Sequence, residues 1–139
     1  AEIRQPACYG ASLAAKDPAF GALAAGAAAR LSQVVTASRG RSKKKSERIA
    51  QACADNALSA LVEILLHHGA ALGDAQAQAQ LWGVWLAGLP CQEDEQEGMR
   101  NHATLLRLLE QERPEVVGDG GLHVPRLFGI LVDLYKTDM

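Results

Sequence analysis

Apolar residues recur at helical spacing along most of the chain. The stretch 46–68, SERIAQACADNALSALVEILLHH, carries the pattern in its strongest form. Turned at about 100° per residue, Ile49, Ala50, Cys53, Ala54, Ala57, Leu58, Ala60, Leu61, Ile64 and Leu65 fill one continuous arc. That arc is about 180° wide, where a simple surface helix needs little more than about 100°. Gln51, Asp55, Asn56, Ser59 and Glu63 take most of the other half. A helix with half its circumference apolar packs on its hairpin partner and also on the next hairpin, which is what a stacked helical repeat asks of each unit.

The flanking segments follow the same logic. Residues 1–15 predict a short helix that tolerates Pro6 only in its first turn. Asp17 and Pro18 then form a cap and a first helical residue, opening a second helix over 18–37 on Phe20, Leu23, Ala27, Leu31 and Val34. Residues 38–45, SRGRSKKK, break the pattern with Arg39, Arg41, Lys43, Lys44 and Lys45 and predict an exposed basic loop. Ser46 is the expected cap of the central helix. Asp74 opens a fourth helix to about Ala87, dense in apolar residues at its end, where Trp82 and Trp85 read as core anchors or as an aromatic pocket. Asp94 and Glu97 have capping-box spacing before a fifth helix to about Glu112. Residues 115–121 predict a glycine-rich loop, and Leu122 to Lys136 a last helix with Pro125 in its first turn. No strand is predicted. The expected architecture is all-α, a HEAT-like α-α superhelix of about six helices in antiparallel pairs at roughly 40 residues per pair; a closed bundle is the structural alternative.

Composition narrows the function. The chain has 139 residues, enough for one domain with a moderate core. Net charge is −2 and aromatics make up 4%, so neither a global field nor stacking surfaces select nucleic acid. No uninterrupted apolar run approaches the roughly 20 residues that span a bilayer. Cys8, Cys53 and Cys91 are odd in number and widely spaced, against a disulfide framework. His67 and His68 are adjacent and diverge on a helix; no Cys or His pair has a zinc spacing, and no serine or cysteine sits in a nucleophile context. These features predict no enzyme, no metal and no cofactor.

Surface recognition remains. An open stack would expose Gln51, Asp55, Asn56, Ser59 and Glu63 together, and Asp94, Glu95 and their acidic neighbours would add negative charge toward a basic partner. The Asn56 amide could bond a neighbouring backbone or an extended peptide. The basic tract 39–45 reads either as a solvated connection or as a contact for an acidic partner or a nucleic acid.

Four stretches carry a family likeness: EIRQPACYGASLAA at 2–15, ADNALSALVEIL at 54–65, VWLAGLPCQEDEQEG at 84–98 and LLRLLEQERPEVVG at 105–118. In this order and spacing the chain resembles the C-terminal HEAT repeats of importin-β (karyopherin-β) nuclear transport receptors, most like the importin-5 and importin-4 branch. The resemblance implies a segment of a longer solenoid that carries basic cargo, such as ribosomal proteins or histones, between cytoplasm and nucleus. It implies release by Ran-GTP bound chiefly on N-terminal repeats of the parent, and contact with nucleoporins. Asp55 and Asn56 match the family's D-N pair and are the carried-over candidates for cargo contact. Another HEAT scaffold without Ran binding is the alternative.

Overall fold

The computed structural model describes residues 3–37 and 44–137, and every described element is helical. Among the described residues seven α-helices follow one another: α1 (Arg4–Ala14), α2 (Gly21–Ala37), α3 (Lys45–His68), α4 (Ala75–Gly88), α5 (Glu95–Glu110), α6 (Pro114–Val117) and α7 (Val124–Tyr135). The expected six become seven because α6 forms within the stretch expected to be a loop. Pro114 at its first position fixes φ for a helical turn, and Gly118, at φ 77°, ends it after four residues. Short 3₁₀ turns, Pro18–Phe20 and Gly69–Leu72, extend the junctions on either side of α2 and α3.

Caps explain most of the boundaries. The carboxylate of Asp17 accepts from the Ala19 N–H, that of Asp74 from Ala77 and that of Asp94 from Glu97. The start of α3 departs from expectation: its N-cap is Lys44, with no side-chain cap bond, and Ser46 already lies within the helix. The capping box at α5 is also half-formed, since the Glu97 side chain bonds to Ser59.

Packing arranges the helices in two rows. α3 lies between α1 and α5, while α2, α4 and α7 form the other row, with α2 and α4 both seated on α3. Within the first row the neighbours run in the same direction. Gln5 and Asn56 both meet Asp94 at one end, and Lys16, Glu63 and Arg107 line one groove toward the other.

The core centres on α3, which is buried from Gln51 to Leu65 apart from Ala52 and Glu63. Ala57, Ala60, Leu61 and Ile64 are fully enclosed. By length and composition alone α3 with its following turn could cross a membrane, yet 72% of that window is buried within the fold; a core helix meets the same criteria. Trp82 and Trp85 pack edge to face, with centroids 5.8 Å apart, and both are buried. They are core anchors and form no open aromatic pocket. Close approach of α2, α3 and α4 depends on Gly88, where an added Cβ would lie 2.6 Å from Leu58 Cδ2.

Candidate functional site

The polar half of α3 is buried except at Glu63, which corrects the expectation that it faces solvent. Gln51, Asp55, Asn56 and Ser59 are 6%, 0%, 3% and 7% exposed. The reason is the connection between α4 and α5. After Leu86 the chain leaves the helix through Gly88-Leu89-Pro90 and crosses α3 in irregular backbone before Asp94 starts α5. Irregular backbone against a core needs acceptors for its N–H groups, and Asp55 supplies them.

The Asp55 carboxylate accepts from the backbone N–H of Gln92 at 3.1 Å, Glu93 at 2.8 Å and Asp94 at 2.9 Å. Gln51 Nε2, one helical turn earlier, donates to its Oδ1 at 3.2 Å. Asn56 Nδ2 donates to Asp94 Oδ2 at 2.9 Å and to the Ala52 carbonyl. Of the two uses open to that amide, the internal bond is the one made. One turn later Ser59 donates to Glu97, and Asn101 Nδ2 donates to Ser59 Oγ at 2.7 Å. The Asn101 Oδ1 accepts from Trp85 Nε1 at 3.0 Å. A continuous polar seam thus ties α3, α4, the connection and α5 together. At the other side of the connection, buried His102 accepts from the Cys91 N–H at 3.0 Å through Nε2.

The acids expected to face a basic partner are largely engaged inside the molecule. Glu93 pairs with Arg48 at 3.1 Å. Asp94 accepts from Asn56, Gln5 and the Glu97 N–H. Glu97 is 3% exposed and pairs with Arg100. Glu95 is exposed, and Glu63, half-buried, pairs with His67 at 3.1 Å. Of the basic tract, Lys44 and Lys45 are exposed at the start of α3; Arg39, Arg41 and Lys43 lie outside the described residues.

Arg126, to which no sequence pattern assigns a role, closes the same connection from α7. Its guanidinium donates to the carbonyls of Leu86, Ala87 and Leu89, three acceptors at the end of α4 where helical bonding stops. The only hint in the sequence is an arginine in the first turn of a helix, which its dipole disfavours.

Burial sets the ionisation of the groups that remain. The Asp55 carboxyl is held above its ordinary value, because desolvation outweighs the backbone bonds and the Gln51 bond that favour the charge. Burial, helped by the neighbouring Cys53, pushes the Cys8 thiol up to about 12. Burial and then the Asp55 carboxylate raise Cys91. Thiols held protonated are poor nucleophiles; the bracing role of the seam rests on its bonds to backbone. Among the described residues no group of three His, Cys, Asp or Glu side chains is placed to hold a metal ion.

The raised carboxyl makes a signed prediction. A folded value above the unfolded one adds stability that is complete below the ordinary carboxylate value and lost as pH rises through the folded one. The amide introduced by Asp55→Asn does not titrate. The stability lost in Asp55→Asn is therefore larger near pH ~4 than at pH ~7. Urea unfolding of both proteins at the two pH values measures it; a gap that narrows in acid contradicts it.

Comparison with protein-family models, curated proteins and solved structures returns no match.

Proposed function

We propose that this chain is a protein-recognition segment of an importin-β-type nuclear transport receptor, one that carries basic cargo such as ribosomal proteins or histones in a Ran-GTP-regulated cycle. The observation that carries the reading is the meeting of two of the stretches that bear the family likeness. Residues 54–65 and 84–98 are far apart in the chain, and Asp55, Asn56 and Ser59 join them through Gln92, Glu93, Asp94 and Glu97. The D-N pair and the acidic connection work as one structural unit.

Two features of the fold agree with it. Neighbours α1, α3 and α5 run in the same direction, as stacked helix pairs require, whereas up-and-down bundles set neighbours antiparallel. On α7, Phe128, Val132 and Tyr135 are 67%, 52% and 92% exposed, an apolar face that a further helix pair would cover. Cargo contact then falls to Glu95, the acid of the expected face that remains exposed, and the buried Gln51, Asp55, Asn56 and Ser59 hold the scaffold beneath it. Such a receptor works between cytoplasm and nucleus, with nucleoporins as further partners.

A second reading, a HEAT scaffold without Ran affinity, is favoured by the same burial, because a D-N pair that braces a connection serves any such stack. Capture of the full-length receptor carrying this segment on immobilised Ran separates the two. The expected result is retention by Ran-GTP and none by Ran-GDP. Retention by neither form contradicts the receptor reading and leaves the scaffold.

A further inference from the structure

The first row of helices leaves a groove of about 500 Å³ between α1 and α5, floored by α3. The groove has a closed end and an open one. At the closed end Gln5 bonds to Asp94, and the Arg100 guanidinium stacks over the Tyr9 ring at 5.9 Å. The walls then continue through Leu13 on one side and Thr104 on the other, over buried Val62, to Lys16 and Arg107. Tyr9 and Leu13 are 40% and 49% exposed, so the α1 wall offers apolar surface.

The charge of this groove is opposite to that expected of a site for basic cargo. Its two acids are both engaged: Glu97 with Ser59 and Arg100, Glu63 with His67. Lys16 and Arg107 are exposed and have no carboxylate partner among the described residues. Two unpaired cations on opposite walls, beyond an apolar strip, form a pattern that a peptide with apolar and acidic side chains would complement.

We infer that the α1–α5 groove is a docking site for a short acidic, amphipathic peptide segment of another protein. Its apolar side chains would lie on Tyr9 and Leu13, and its carboxylates would reach Lys16 and Arg107. The inference stands apart from the transport reading, since it requires neither Ran nor basic cargo.

Fluorescence anisotropy of the whole chain with labelled peptides tests it. The probes are a short peptide of Asp, Glu, Leu and Phe, the same peptide with Asn and Gln for its acids, and the same with Lys for its acids. The acidic form binds best, and its affinity falls with added salt. The double variant Lys16→Glu/Arg107→Glu weakens it about tenfold, the sum of two modest surface pairs. The charge-matched control Arg30→Glu/Lys136→Glu, away from the groove, leaves it within about twofold. Equal binding of the three peptides, or tighter binding of the lysine form, overturns the proposal. So does an acidic peptide that binds Lys16→Glu/Arg107→Glu as well as the wild type. Circular dichroism of the variants verifies the helical fold, and both substitutions lie at exposed positions.

Discussion

Asp55→Ala lowers the melting temperature by roughly 10–20 °C, corresponding to a loss of about 3–5 kcal/mol. The size follows from what the carboxylate holds. Three consecutive N–H groups, those of Gln92, Glu93 and Asp94, point at one side chain that is 0% exposed. Each donor left without a partner in a buried place costs about 1–3 kcal/mol, and the connection relaxes enough to recover part of the total. Gln51 Nε2 loses its acceptor as well. Asp55→Asn is milder, about 1–3 kcal/mol, because one amide oxygen still accepts while the amide nitrogen confronts donors. Thermal melts of the two variants rank them. An Asp55→Ala protein that melts with the wild type would mean that the seam contributes nothing to stability.

Trp85→Ala removes about 3–5 kcal/mol, a large share of the about 5–15 kcal/mol that holds a domain together. The ring is fully buried, packs edge to face on Trp82, and donates to Asn101. Alanine leaves a cavity in a close-packed core, where the surrounding side chains relax only partly into it. It also leaves the Asn101 Oδ1 unpaired. Trp85→Phe isolates the second effect: it keeps most of the volume and loses the N–H, for about 1–3 kcal/mol. With a urea slope of about 1–3 kcal/mol per molar, the alanine variant unfolds at a midpoint about 2 M lower. A shift below about 0.5 M would contradict the placement of Trp85 at the centre of the core.

The two residues differ in how far the sequence reveals them. Trp85 follows from its own chemistry, since the largest apolar side chain in an alanine-rich helix belongs in the core. The helix boundaries are legible for the same kind of local reason: Asp17, Asp74 and Asp94 all cap as their spacing predicts. Asp55 is not legible. Hydrophobic periodicity separates apolar from polar faces, but a polar face that meets water and one that meets backbone N–H groups have the same pattern. What distinguishes them is the need of another segment, the irregular run after Pro90, which has N–H groups and no helix to pair them. α6 escapes the pattern because three glycines in seven residues suggest a loop, whereas Pro114 starts a single turn that fits before Gly118. Ser46 has the chemistry of a cap for α3, and the helix instead begins a residue earlier, at Lys45.

The candidate site changes meaning accordingly. Residues that read as a recognition face are the brace of a connection, and in the proposed readings recognition moves to exposed Glu95 and to the groove between α1 and α5. The orientation of that groove depends on the seam, because Asp94 receives Gln5 from α1 and Asn56 from α3 on one carboxylate oxygen.

Amide hydrogen exchange at Gln92, Glu93 and Asp94 tests most directly whether Asp55 braces the connection. Exchange is slow at all three in the wild type, and in Asp55→Asn it accelerates selectively there while the amides of α2 keep their protection. Rapid exchange at these three amides in the wild-type protein would contradict it.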